Sequence, residues 1–153
     1  HTIGRRQRQM CIRDRLKGRL DVSFNGFAQK YGIPAGSVQN WTRRKARPSV
    51  SVATYLLMIR AAPVVMERKV RKIPQTLRAE VQSDPRAFVR LLLKRLSMNP
   101  NQFAGHFGLE RHAVDNWKSG KSIPSAGSQT YLMLIGNDPE DIAHRVHRLG
   151  LSR

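Results

Sequence analysis

The stretch NQFAGHFGLERHAVDNWKSGKSIP, residues 101–124, decides the fold. Asn99 and Pro100 just ahead of it form a helix start, a capping side chain followed by a residue whose fixed φ suits the first turn. Phe103-Ala104, Phe107-Gly108-Leu109, Val114 and Trp117 then place large apolar residues around one alanine and one glycine. Two short helices crossing steeply through a tight turn require this pattern. The small Ala104 allows close approach, Gly108 supplies the positive φ of the turn, and the large side chains fill the wedge between the helices. Gly120 marks where the second helix stops.

The pattern occurs twice. Residues 19–63 and 95–139 align without a gap at an offset of 76, with 17 identities in 45 positions. Phe27, Ala28, Tyr31, Gly32, Ile33, Val38 and Trp41 repeat the spacing of the second copy, and the pairs Asn40/Asn116, Pro48/Pro124 and Tyr55/Tyr131 extend it. An ungapped match of this length marks a duplication. Outward from the second copy, Ser83-Asp84-Pro85 starts a helix over AFVRLLLKRL. AGSQTYLMLI forms another with Tyr131, Leu134 and Ile135 on one face, and Asp138-Pro139 starts a last one that turns Ile142 and Val146 inward. No stretch alternates with period two, so the expected class is all-α. Two tandem domains of four to five short helices each, 16–63 and 88–153, are joined by a basic, partly helical linker, 64–87.

The first fifteen residues stand apart. RRQRQMCIRDR, residues 5–15, reads as a basic arm, but it also resembles the translation of a transposase-based sequencing adapter at every position. Residues 1–15 are therefore expected to be an adapter-derived artefact, with the natural sequence beginning at or before Leu16. The source nucleotide read checks this, because codons other than the adapter's own would remove the resemblance. Such segments are set aside in reasoning about fold and function. Cys11, the single cysteine, goes with them, and with it any disulfide or thiolate chemistry. The charge survives. The whole chain carries 28 basic and 10 acidic residues, net +18. Without five arginines and one aspartate of the first fifteen residues, 23 basic and 9 acidic side chains remain, net +14. That excess favours a polyanionic partner, nucleic acid before an acidic membrane. No apolar run approaches the roughly 18 residues of a membrane span, and the chain is expected to be cytoplasmic and nucleoid-associated.

On the residues just quoted, together with the tail NW…K…P and the amphipathic helix after it, the sequence resembles the lambda-repressor-like (Xre-type) helix-turn-helix family. The resemblance covers about 16–62 and 88–148 and implies double-stranded DNA as partner, with the second helix of each motif in the major groove. Arg111, His112, Asp115 and Asn116 would then face base edges in the second copy, and Ser37, Gln39 and Asn40 in the first, where Ala35 and Gly36 make a smaller, nearly neutral set. Arginine pairs bidentately with guanine, asparagine or glutamine with adenine, and aspartate accepts from cytosine. The loops behind these helices hold Arg43, Arg44, Lys45 and Arg47 in the first copy against Lys118 and Lys121 in the second. Phosphate grip is thus expected to concentrate in the first copy and base discrimination in the second.

Each of these residues also has a plainer reading. Trp41, Trp117, Tyr55 and Tyr131 fit core positions better than base stacking. Asn40 and Asn116 serve equally as local caps, and Arg68, Lys69, Arg71 and Lys72 as a solvated helix face. His144 and His147, three apart, lack the cysteine or carboxylate company of a metal site, so no metal or cofactor is expected. Neither a nucleophile motif nor a phosphate-cradling glycine loop is present, and no enzyme is expected. The expected function is a regulator of transcription that reads a bipartite, asymmetric DNA site. Two alternatives remain: the DNA-targeting fragment of a truncated mobile-element enzyme, and a chain in which one copy has turned to protein interaction. A homodimer, or a protein partner such as a toxin, is compatible with the sequence; a membrane is not expected.

Overall fold

The computed structural model describes residues 23–153, and these form ten α-helices with no strand among them. The protein is all-α. Residues 1–15 and the first helix expected of the first copy lie outside the described residues. In chain order the helices are α1 (Phe24–Tyr31), α2 (Ala35–Thr42), α3 (Val50–Ala61), α4 (Pro63–Arg71), α5 (Gln75–Ser83), α6 (Pro85–Leu96), α7 (Pro100–Phe107), α8 (Arg111–Ser119), α9 (Ala126–Asn137) and α10 (Pro139–Arg148).

Local chemistry sets most of the boundaries. Ser23, Ser49, Asp84, Asn99, Ser125 and Asp138 accept first-turn amides at the starts of α1, α3, α6, α7, α9 and α10. Asn99 and Gln102 form a reciprocal capping box. Gly32 (φ 65°) and Gly108 (φ 67°) make the left-handed turns ahead of α2 and α8, and Gly120 (φ 87°) ends α8. At the position equivalent to Gly120 the first copy has Arg44, also left-handed at φ 60°, a conformation that costs a side chain about 1 kcal/mol.

The duplication extends further than its identities. α1 to α4 stand at the same offset from α7 to α10, so the stretch read as a linker begins with a helix of the first copy. Met66 and Val70 of α4 are buried as Ile142 and Val146 of α10 are, four residues apart in each case. Only α5 and the turns flanking it bridge the copies. Ile73, Leu77 and Val81 bury that bridge against α6 and α9, and Arg78 closes the end of α4 with hydrogen bonds to the carbonyls of Val70 (2.6 Å) and Ile73 (3.4 Å).

The two copies share one core. α3 and α9 pack on each other and are buried on most sides, as helices between two layers must be. Along this seam the contacts are reciprocal. The Thr54 hydroxyl donates to the Gly108 carbonyl (2.6 Å), and Thr130, its counterpart, donates to the Gly32 carbonyl (2.7 Å). α9 packs on α4 while α10 packs on α3. Tyr55 and Tyr131 stack on one another, ring centres 5.8 Å apart. Contacts of i with j′ and j with i′ are the signature of a two-fold, isologous interface; here it relates two halves of one chain.

Each turn ahead of α2 and α8 is held from both sides of the seam. Within each half, Tyr55 donates to the Tyr31 carbonyl and Tyr131 to the Phe107 carbonyl, both at 2.6 Å. Burial pushes both tyrosines well above their ordinary pKa, so they remain hydroxyl donors. The threonine of the opposite half takes the next carbonyl along.

At the edge of the seam Lys69 pairs with Asp138 (3.1 Å) and Asp141 (2.7 Å), and Arg145 also reaches Asp141 (2.8 Å). Burial acts to raise the Asp141 carboxyl, but hydrogen bonds from Lys69 and Arg145, joined by their charges, outweigh it and hold the group below its ordinary value. A depressed carboxyl contributes stability above its unfolded pKa, about 3.9, and loses it as pH falls through the lower folded value. Asp141→Asn should therefore lower the urea midpoint at pH 7. The gap from the parent should close progressively below about pH 4; a gap independent of pH would mean that the ion pair contributes nothing.

Candidate nucleic-acid interface

In each half the second helix lays its apolar face on the core and leaves its other face open. Val114 and Trp117 of α8 are buried, as is Trp41 of α2, while Val38 is only half-buried. The tryptophans and Tyr55 and Tyr131 are thus core residues, as the spacing implies. On the open face of α8 lie Arg111 and His112, both exposed, with Asp115 and Asn116 half-exposed. Arg111 and Asp115 form a loose ion pair one turn apart (3.8 Å). On α2 Ser37 and Gln39 are half-exposed and Asn40 is exposed. The side chains of Gln39, Asn40, His112 and Asn116 make no hydrogen bond to another described residue, so their donors and acceptors are free for a ligand. Neither α2 nor α8 has a side-chain cap, and in α2 the Ser37 amide turns back to the Pro34 carbonyl (3.1 Å) instead.

The loop cations are all on the surface. Arg43, Arg44, Lys45 and Arg47 are exposed, and the Lys45 amide folds back to the Asn40 carbonyl (2.8 Å), which curls the loop beneath α2. Lys118 and Lys121 are exposed at the end of α8. These loops run directly into Ser49 and Ser125, the caps of α3 and α9. From there four hydroxyls bridge the halves: Ser49 to Ser51 (3.1 Å), Ser51 to Ser128 (2.7 Å) and Ser128 to Ser125 (3.0 Å). The two loops therefore lead into the same end of the seam, where α3 and α9 begin side by side.

Two cations join the set that the repeat did not reveal. Arg90 of α6 donates to the Lys118 carbonyl (3.0 Å), and the Arg86 guanidinium lies against Gly120, where any β-carbon would collide with it. Arg90 lines an open cleft of about 390 Å³ with Asp115, Asn116, Lys118, Ser119 and Lys121. The counterparts of Arg86 and Arg90 are Met10 and Asp14, within the adapter-like segment, so the repeat carries no signal for them. Their four-residue spacing on the polar side of an amphipathic helix was the only clue. Of the ambiguous cations, Lys69 is committed to the seam, while Arg68 and Lys72 are exposed.

His147 contacts the Ser152 hydroxyl (3.2 Å), and among the described residues no three His, Cys, Asp or Glu side chains come together as a metal site would need. Among the same residues no single helix is long and apolar enough to cross a membrane; the apolar α3 is bent by 117° from α4 and is spent in the seam. Comparison with protein-family models, with curated proteins and with solved structures finds no match.

Proposed function

We propose that this protein is a sequence-specific double-stranded DNA-binding protein, a non-catalytic regulator of transcription in which two non-identical helix-turn-helix units act on one bipartite site. The observation that carries the proposal is a pair of short helices, each with unpartnered polar side chains and followed by a cationic loop, whose loops lead into the same end of one shared core. Free amides and guanidinium groups suit base edges in a major groove, and the flanking cations suit the phosphates on either side. The net charge of +14 that remains without residues 1–15 supplies the long-range attraction. Cations divide unevenly between the halves. Arg43, Arg44, Lys45 and Arg47 favour phosphate grip by the first, and Arg111 with Asn116 favours base reading by the second.

Selection from a random duplex DNA pool in about 150 mM salt, where non-specific binding is weak, tests the proposal. The expected result is enrichment of a two-part motif. Binding without enrichment would reduce the protein to a charge-driven DNA binder and would favour an accessory or targeting role in a larger mobile-element protein.

A further inference from the structure

The seam fixes more than stability. Resting on the proposed DNA-binding function, we infer that one chain reads both halves of its site in inverted orientation at a single fixed spacing, as a fused two-fold dimer would. Thr54 on Gly108 and Thr130 on Gly32 are equivalent contacts seen from opposite halves, and Tyr55 meets its own counterpart on the axis. Two-fold relation of the halves makes α2 and α8 run in opposite senses about that axis. Two reading helices so related meet the two strands of a duplex equivalently, which is the geometry of an inverted repeat.

The spacing follows from the same contacts. The threonine hydroxyls bind the turns that launch α2 and α8, and the tyrosines bind the carbonyls just before them. Each reading helix is therefore referenced to the opposite half directly, through buried side chains. The bridge around α5 joins the halves without setting their separation. The surface that pairs two subunits in a symmetric dimer is used up within the chain, because α3 and α9 cover one another. One chain per site is the consequence.

The halves differ in their reading residues, so the symmetry is hidden in the natural site and has to be exposed. Ala35→Arg, Gly36→His and Gln39→Asp give α2 the reading set of α8, since Asn40 and Asn116 already agree. Gly36 has open space around its α-carbon and tolerates a side chain. Selection with the parent chain and with this triple variant is run in parallel. The parent is expected to enrich two unlike halves, and the variant a perfect inverted repeat with the same centre-to-centre distance. A direct repeat from the variant, or halves at several spacings, overturns this inference while leaving specific DNA binding intact. Failure of the parent to enrich any motif overturns both.

A second measurement needs no variant. On the parent's selected duplex, the mass of the complex should correspond to one chain. Insertion of 5 or of 10 base pairs between the halves should each weaken binding by at least about tenfold. Ten base pairs restore the helical face, so recovery at 10 would show units tethered by a flexible bridge and overturn the fixed spacing. Two chains per duplex would do the same for the fused dimer.

Discussion

Replacing Thr54 and Thr130 together by valine should lower the unfolding free energy by about 3 kcal/mol, because the changes strip the donors from a buried carbonyl at Gly108 and a half-buried one at Gly32. Valine keeps the shape of threonine and removes only the hydroxyl, so packing at α3 and α9 is largely preserved. The Gly108 and Gly32 carbonyls would lose their donors at 2.6 and 2.7 Å, and no other described group bonds to either. An unmade buried hydrogen bond costs about 1–3 kcal/mol, more than a made one contributes. Urea unfolding checks the expectation: the midpoint should fall with little change in slope, since the surface exposed on unfolding is nearly unchanged. A loss below about 1 kcal/mol for the pair would mean that water or relaxed geometry replaces the hydroxyls, and the turns would then not be held from across the seam. The single variants should each give about half the effect.

The second large effect concerns recognition. Arg111→Ala with Asn116→Ala should reduce the preference for the selected duplex over random duplex by about 100-fold, since a bidentate base contact carries about 1–3 kcal/mol of discrimination. Neither side chain supports the core: Arg111 is exposed with only a 3.8 Å ion pair, and Asn116 lies on the open side of α8. Stability should therefore barely change. The contrasting pair Arg43→Ala with Lys45→Ala should weaken binding to all sequences alike, flattening the dependence of log affinity on log salt by roughly 0.9 for each phosphate that is no longer neutralised. Competition binding at several salt concentrations separates the two behaviours. Unchanged preference in the α8 variant would transfer recognition to the first half and leave the second as a packing or protein-interaction unit.

Much of this architecture is legible in the sequence. Capping pairs such as Asp84-Pro85 and Asn99-Pro100, and turn glycines such as Gly108, act within a few residues and are read where they stand. The duplication exposes the buried faces of α2 and α8. Less legible was where the copies end, because their identities fade after Pro63 and Pro139. The two residues that carry the pattern onward, Met66 with Val70 and Ile142 with Val146, agree only in being apolar. The assembly of the halves was hidden as well. One face of α9, at Tyr131, Leu134 and Ile135, accounts for packing within its own half, yet Leu132 and Met133 are buried too. A helix apolar on most sides signals a second covering layer, and the run of apolar residues in α3 and α9 contained that message. It did not say that the layer would be the other copy. The spacing of the apolar residues marks which faces of α2 and α8 stay open, whereas the approach of Arg86 and Arg90 to α8 depends on how α6 crosses its end, a tertiary fact.

The seam also carries a mismatch. Ser51 and Val52 of one half face Gly127 and Ser128 of the other. A β-carbon at 127 would lie 3.2 Å from the Val52 methyl, and Ser51 needs Ser128 for its 2.7 Å bond. Two first halves brought together would crowd a serine against that valine; two second halves would leave a gap and lose the hydroxyl partner. Separate polypeptides with these sequences would favour the unlike pairing. Divergence at two adjacent positions thus works as a ratchet: once the copies have become lock and key to each other, a return to an assembly of identical subunits grows harder with every further change, and each copy is free to drift in what it touches.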